Sequence, residues 1–330
     1  MSQSVNDVVV TGRVRLARNY YDLPFSSAGN PDNAKLCIDR ACKALESEGG
    51  AYALHLLRDL PKVERMALVE RHFISRDLVR NSEAGAALIR GDGRVSVMVN
   101  EEDHLRIQAI GTGLDLTSAA EEAFKAEDLL QEICAFSFDP QLGYLTSCPT
   151  NTGTGMRASL MLHLPMLTRF KQMGNVNQSV AKLGLTMRGI YGEGSEALGD
   201  LYQVSNQVTL GRTEEDILEA VMAVGKQLID MEAALRERCL EQQPYAFKDT
   251  IFRSYGSLRY AMEMDEKEFM QHWSNLRLGA SGRLLDVELP AVDELLTTAQ
   301  NAHVKRYMQQ EPGNLTINQA RCEVIRRALQ

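Results

Sequence analysis

No uninterrupted apolar run in this 330-residue chain approaches the roughly 18 residues that a membrane-spanning helix needs. The first residues, Met-Ser-Gln-Ser-Val-Asn-Asp, have neither a basic segment nor an apolar stretch behind it, so no secretory leader is expected. Six cysteines (Cys37, Cys42, Cys134, Cys148, Cys239 and Cys322) form no CxxC pair and no Cys/His cluster with zinc spacing. They read as reduced thiols of a cytoplasmic protein. The net charge of −8 argues against a general nucleic-acid binder, which would present a basic stripe. A GxGxxG dinucleotide fingerprint, a Walker A lysine and the HRD and DFG signatures of protein kinases are all missing. With 44% apolar and 24% charged residues, the chain has the composition of a globular protein with room for a large domain and a small one.

β-Branched residues and alternating charge predict a strand over 8–18. Helices are expected over 33–48 and 61–73, and from a cap at Thr117 to about Cys134. Gly91-Asp92-Gly93 marks a hairpin between strands at 86–90 and 94–99, followed by a strand over 104–110. Gly153–Gly155 reads as opening a helix through Phe170. Strands are expected at 185–191 and 201–206, and Thr213 with Asp216 caps a helix to about Cys239. After Gln242 strand signals almost vanish, and helices are expected near 247–263, 266–276, 291–309 and 316–329. The break at Pro244-Tyr245 separates a domain 1–242 from a helical domain 243–330. Hairpins without regular βαβ units imply an α+β fold, an antiparallel sheet backed by helices.

Chemistry concentrates in two segments, Asn100-Glu-Glu-Asp-His-Leu-Arg106 and Cys148-Pro-Thr-Asn-Thr-Gly-Thr-Gly-Met-Arg157. Arg13 and Arg15 alternate on one strand and share a face. Together with Arg106, Arg157 and Arg188 they offer the planar forks that neutralise phosphates in phosphoryl transfer. Singly, each of these arginines would be an ordinary surface residue. Glu101, Glu102 and Asp103 read either as a solvated acidic strand end or as carboxylates for a cationic acceptor. Glu102 with Glu193 can grip a guanidinium, align one nitrogen and take its proton. Cys148, ahead of a polar turn and an expected helix N-terminus, can hold a cation as a thiolate. The turn Asn151–Gly155 offers backbone N–H groups for phosphate. His72, at the end of a helix, reads locally as a half-buried histidine.

These residues resemble the phosphagen kinase (ATP:guanido phosphotransferase) family, and most of all its bacterial branch, the protein arginine kinases of the McsB type. The matching stretches include Gly12-Arg-Val-Arg-Leu-Ala-Arg18, Leu68–Ser75, Val99–Ile107, Cys148–Ala158, Arg188–Glu196 and Tyr202–Asn206. The resemblance implies the sheet-and-helix fold shared with glutamine synthetase catalytic domains, and ATP with Mg²⁺ as cofactors. It implies phosphate binding by Arg13, Arg15, Arg106, Arg157 and Arg188, and nucleotide contact by His72. It further implies acceptor chemistry by Glu102, Glu193 and Cys148, and a water-mediated link from Glu101 to Mg²⁺. The Arg-x-Arg strand starts at residue 8, leaving no room for the helical N-terminal domain of the small-metabolite kinases. An open cleft and a helical C-terminal segment suit arginines carried on proteins.

Expected partners are protein substrates with exposed arginines, a zinc-containing activator protein, a Clp-type protease and a second copy of the chain; nucleic acid and membrane are not expected. The rivals are a kinase of free arginine or another small guanidino compound, and an inactive phosphoarginine-binding adaptor. Two departures stand out. Thr11-Gly12 replaces the usual Ser-Ser, and Ile317–Cys322 keeps only Arg321 of the Arg-Asp-x-x-Arg-Ala element that senses phosphoarginine in relatives.

Overall fold

A computed structural model describes residues 7–25, 30–46, 51–191, 197–311 and 313–330. Along the chain run β1 (Val9–Arg18), α1 (Pro31–Leu45), β2 (Tyr52–Leu56), α2 (Lys62–Glu70), α3 (Arg76–Arg80), β3 (Ala86–Arg90), β4 (Val95–Val99), β5 (Leu105–Gly111) and α4 (Leu116–Ile133). A two-residue pair, β6 (Phe138–Asp139) and β7 (Gly143–Tyr144), precedes β8 (Met156–His163), α5 (Pro165–Arg169), α6 (Met173–Lys182), β9 (Leu185–Tyr191), β10 (Ala197–Asn206) and α7 (Glu214–Gln242). The C-terminal segment is wholly helical: α8 (Pro244–Tyr260), α9 (Glu266–Ser281), α10 (Leu289–Thr298), α11 (Asn301–Gln310) and α12 (Ile317–Ala328).

Eight strands form one sheet in the order β2-β3-β4-β5-β1-β8-β10-β9, with every neighbouring pair antiparallel. The α+β expectation is met. Alternation along β1 sends Val14 and Leu16 to one face and Arg13 and Arg15 to the other. The first face joins Leu105, Ile107, Ala158 and Leu160 in a continuous core under α1, α4 and α7. Among the described residues, the second face is covered at its two ends. Over β3 and β4, α2 and α3 pack on Ala87, Ile89 and Met98. Over β8 and β10, the C-terminal helices pack on Met161 and Leu201, with Trp273 fully buried among them. Between these two caps the face carrying the arginines stays open.

Local signals explain most helix ends. Asn30 accepts from the N–H groups of Asp32 and Asn33 ahead of α1, and Thr213 with Asp216 forms a capping box on α7. The cap of α4 is Asp115, which accepts from the N–H groups of Thr117 and Ser118, rather than Thr117 itself. The larger departure is 153–170. Met156–His163 is an interior strand of the sheet, and helix is confined to Pro165–Arg169. Its Ala, Leu and Met content favours helix, but both faces of β8 are buried between β1 and β10. A strand covered on both sides loses the alternation that would reveal it. The helix expected over 291–309 is broken into α10 and α11 at Ala299-Gln300.

A buried charge pins α5 to α7. Glu232, fully buried, accepts from the backbone N–H groups of Met166 and Leu167 at 3.0–3.1 Å and from Arg236 Nε at 2.9 Å. Glu232→Ala removes the cap of α5 and strands Arg236, itself 3% exposed, without its partner. The expected loss is about 3–5 kcal/mol of unfolding free energy, read from urea denaturation; a loss too small to resolve would contradict this account.

Candidate active site

Cross-strand register places the arginines. Arg15 on β1 pairs with Gln108 on β5 and Arg157 on β8, while Arg106 pairs with Ala17 and Met98. Arg13 pairs with Ser159; Thr11, Met161, Gln203 and Arg188 form the next row. Residues paired across a sheet share a face, so all five arginines project from the open side. Arg188, near the sheet edge, is exposed. Its charge nevertheless reaches Arg157, whose guanidinium is pushed down by burial and then by Arg188 and Arg106. Arg15 is pushed well down by burial and by Arg13, Arg106 and Arg157. Arg15 Nε and Arg157 Nε are buried donors with no hydrogen-bond partner. Buried donors ordinarily have partners, so a cluster of like charges with open donors is built for a polyanion.

Neutral side chains hold parts of the cluster. Arg157 donates to Ser205 Oγ at 3.2 Å, and Arg13 lies 3.5 Å from Gln203 Oε1. Arg106 NH1 reaches both oxygens of Glu101 at 2.6 Å, and Ser75 Oγ also donates to Glu101. Two hollows meet at Arg15 and Arg106. The larger, about 1020 Å³, runs from these arginines past Arg13 and His72 to α10. The smaller, about 210 Å³, is lined by Glu101, Glu102, Cys148, Thr150, Arg15 and Arg157.

In the smaller hollow the Glu102 carboxyl is pushed up by burial and by its neighbours Asp103 and Glu101; a hydrogen bond from Cys148 opposes the rise. The Cys148 sulfur lies 3.0 Å from Thr150 Oγ1. Asp103, buried, accepts from Ser147 N and Asn19 Nδ2, both at 2.7 Å, tying the Cys148 loop to the carboxylate segment. Glu193 lies outside the described residues.

Two expectations for this loop fail. Cys148 precedes a three-residue 3₁₀ turn, Pro149–Asn151, not an α-helix, so no helix dipole acts on it. The N–H groups of Asn151, Thr152, Gly153 and Thr154 donate to Cys148, Pro149, Tyr144 and Thr209 carbonyls, which removes them as phosphate ligands. The glycines serve the turn itself. Gly153 has φ +118°, and a Cβ there would collide with the carbonyl of Thr209; Gly155 has φ +61°. Ser75, Gln203 and Ser205 were not singled out in the sequence. The period-2 pattern of β10 could have found the last two, whereas Ser75 meets Glu101 only through the tertiary fold.

The matched family models divide the chain. Residues 35–235 match ATP:guanido phosphotransferase, C-terminal catalytic domain, and residues 244–330 match the protein-arginine kinase McsB C-terminal domain. The chain belongs to the ATP:guanido phosphotransferase family. Within that family it is similar to the protein-arginine kinase of Caldanaerobacter subterraneus subsp. tengcongensis, 44% identical over 326 residues and 97% of each chain. It is also similar to that of Brevibacillus brevis, 41% identical over 98% of this chain and 92% of the relative. Among solved structures of the family, a lombricine kinase superposes with TM-score 0.62 at 25% identity, covering 71% of this chain and 69% of its own. The duplicated taurocyamine kinase of Schistosoma mansoni with bound transition-state-analogue components gives 0.63 at 26% identity, covering 77% and 38%.

His72, two residues past the end of α2, has φ +60° and lies beside Arg13; its carbonyl accepts from Gln108 Nε2 at 2.6 Å. Burial, and then Arg13, bring its pKa from 6.5 to about 4. The folded chain therefore refuses a proton that the unfolded chain accepts. Its contribution to stability is full above 6.5 and is lost as pH falls from 6.5 to about 4. His72→Asn, tolerated at positive φ, should flatten this part of the stability profile in urea melts between pH 4 and 7; an unchanged slope would exclude His72 as its source.

Proposed function

We infer that the protein is an ATP-dependent protein arginine kinase, forming N-phosphoarginine on arginine side chains of other proteins. The observation that carries this reading is the junction of the two hollows: an under-neutralised arginine cluster beside a small hollow that carries Glu102 and is of a size for a guanidinium. Near-full-length similarity to protein-arginine kinases supports it, as does the C-terminal match.

The triphosphate lies along the open face, its charge met by Arg13, Arg15, Arg106, Arg157 and Arg188, with the buried Nε groups of Arg15 and Arg157 finding acceptors in its oxygens. His72, neutral, contacts the nucleotide. Mg²⁺ would be held chiefly by the phosphates, as is usual for this ion; among the described residues no cluster of three or more His, Cys, Asp or Glu could hold a metal by itself. Glu101, already engaged by Arg106 and Ser75, keeps lone pairs for water of the ion's hydration shell. When bound, Mg²⁺ neutralises charge developing on the phosphates.

The target arginine enters the smaller hollow. Glu102, with Glu193 as its partner, accepts from the guanidinium fork and orients one Nη. Glu102 takes the proton as the N–P bond forms and the bond to the ADP oxygen breaks. Cys148 holds the fork from the side and tunes Glu102. The reading extends to a cytoplasmic location, a homodimer, a zinc-containing activator and a Clp-type protease receiving marked substrates. Among the described residues no helix is long and apolar enough to cross a membrane.

The second reading, a kinase of free arginine, is favoured only by the small volume of the acceptor hollow. Arginine-rich protein and free arginine offered separately with ATP, with phosphoarginine read by mass spectrometry at neutral pH, separate the two. Product on protein and little on free arginine is expected; the reverse overturns the assignment. Glu102→Gln should lower turnover by at least about a hundredfold while ATP still binds. In the wild type, ionised Glu102 is the active form, so activity falls with acid at a higher pH than an ordinary carboxyl would give. Asp103→Asn removes a neighbouring charge and should move that acid limb to lower pH in the rate profile; a limb that stays put would remove Glu102 as its origin.

A further inference from the structure

The far wall of the larger hollow belongs to the C-terminal helices. α10 turns Pro290, Asp293 and Thr297 into it, at the i, i+3 and i+7 spacing of one helix face. Val10, Met161, Ile190, Leu289, Pro290 and Leu296 make this end of the hollow apolar. One charged side chain there is held by a buried partner. Asp293 receives Arg277 Nε at 2.7 Å on one oxygen and NH2 at 3.3 Å on the other, and Arg277 is fully buried.

Arg277 also fixes where Asp293 stands. Its NH1 donates to Asp7 O at 2.7 Å and its NH2 approaches Val9 O at 3.4 Å, so the pair sits at the start of β1. Arg13, Arg15 and Asp293 line one hollow, so a nucleotide whose phosphates lie at the arginines extends along it toward Asp293. α10 is held rigidly from behind, for buried Trp273 donates its indole N–H to Val292 O at 2.8 Å. A carboxylate with both oxygens steered by one fork still has a lone pair on each for an incoming donor. Vicinal hydroxyls are donors that a carboxylate reads well, as acidic residues do on the ribose of dinucleotides.

We propose that Asp293, positioned by Arg277, accepts hydrogen bonds from the ribose hydroxyls of the bound nucleotide, with the base in the apolar end of the hollow, so that the C-terminal helices select ribonucleotide over deoxyribonucleotide donors. This rests on the kinase reading for the identity of the ligand. Asp7 and Glu294 line the same hollow. Glu294 is largely exposed and lies 4.0 Å from exposed Arg71 across the mouth, a contact of little strength.

The test is steady-state kinetics of the full chain with ATP, 2′-deoxy-ATP and 3′-deoxy-ATP on an arginine-rich protein. For the wild type, KM for at least one deoxy analogue should exceed that for ATP by about tenfold, with kcat little changed. Asp293→Asn keeps the side-chain shape and one acceptor oxygen. It should raise KM for ATP until the ratio approaches unity, whereas Asp7→Asn and Glu294→Gln should leave the ratio as in the wild type. Equal KM values for all three nucleotides in the wild type overturn the proposal. So does a parallel rise for all three in Asp293→Asn, or a ratio that collapses in either control instead. Should no nucleotide give phosphoarginine, the kinase reading fails by itself. Calorimetric binding of ATP and the two deoxy analogues, with wild type and Asp293→Asn, then decides the ribose contact on the same criterion.

Discussion

Like charges crowded onto one face of a sheet are the constraint on which the structure turns. Guanidinium groups that burial and mutual repulsion push down, as at Arg15 and Arg157, oppose folding unless the remainder of the molecule holds them. The antiparallel ladder does so mechanically. Because β1, β5 and β8 are locked in register, Arg15, Arg106 and Arg157 cannot turn away without carrying Leu16, Ile107 and Ala158 out of the core beneath α1, α4 and α7. Apolar burial on one face thus maintains electrostatic stress on the other.

The open face then needs walls. At one end α2 and α3 pack on β3 and β4; at the other the C-terminal helices pack on β8 and β10. The two walls touch. Glu70 at the end of α2 accepts from the N–H groups of Ala302 and His303 and from His303 Nδ1, capping α11 across the cleft. His72, two residues beyond Glu70, is therefore placed partly by the C-terminal segment. The same segment gives Arg321 no freedom to meet an incoming group. It is 1% exposed and donates to Ala299 O, Met264 O, Asn318 Oδ1 and Asn301 Oδ1. What remains of the Arg-Asp-x-x-Arg-Ala element acts here as internal bracing.

Legibility varied with how local the cause was. The hairpin at Asp92, the cap of α7, and the shared face of Arg13 and Arg15 follow from neighbouring residues and were readable. β8 was not. Its helix-favouring residues are overridden by burial on both faces, a property of its neighbours in the sheet. The turn at 151–155 misled for a related reason. Its glycines suggested a phosphate cradle, but whether N–H groups point outward depends on which carbonyls lie opposite, and Tyr144 and Thr209 supply them.

The chain of residues by itself determined the chemistry on offer: forks in alternation on strands, carboxylates beside a thiol, a sheet with one apolar face and a helical end. Short-range sterics and the two-residue repeat of a strand suffice for that. Only the tertiary structure decided which groups meet. It set Ser75 on Glu101, Asp103 on the Cys148 loop and α10 at the far end of the cleft. These contacts join segments far apart in sequence, and no local preference encodes them; they arise because the core packs in one register and carries its loops with it.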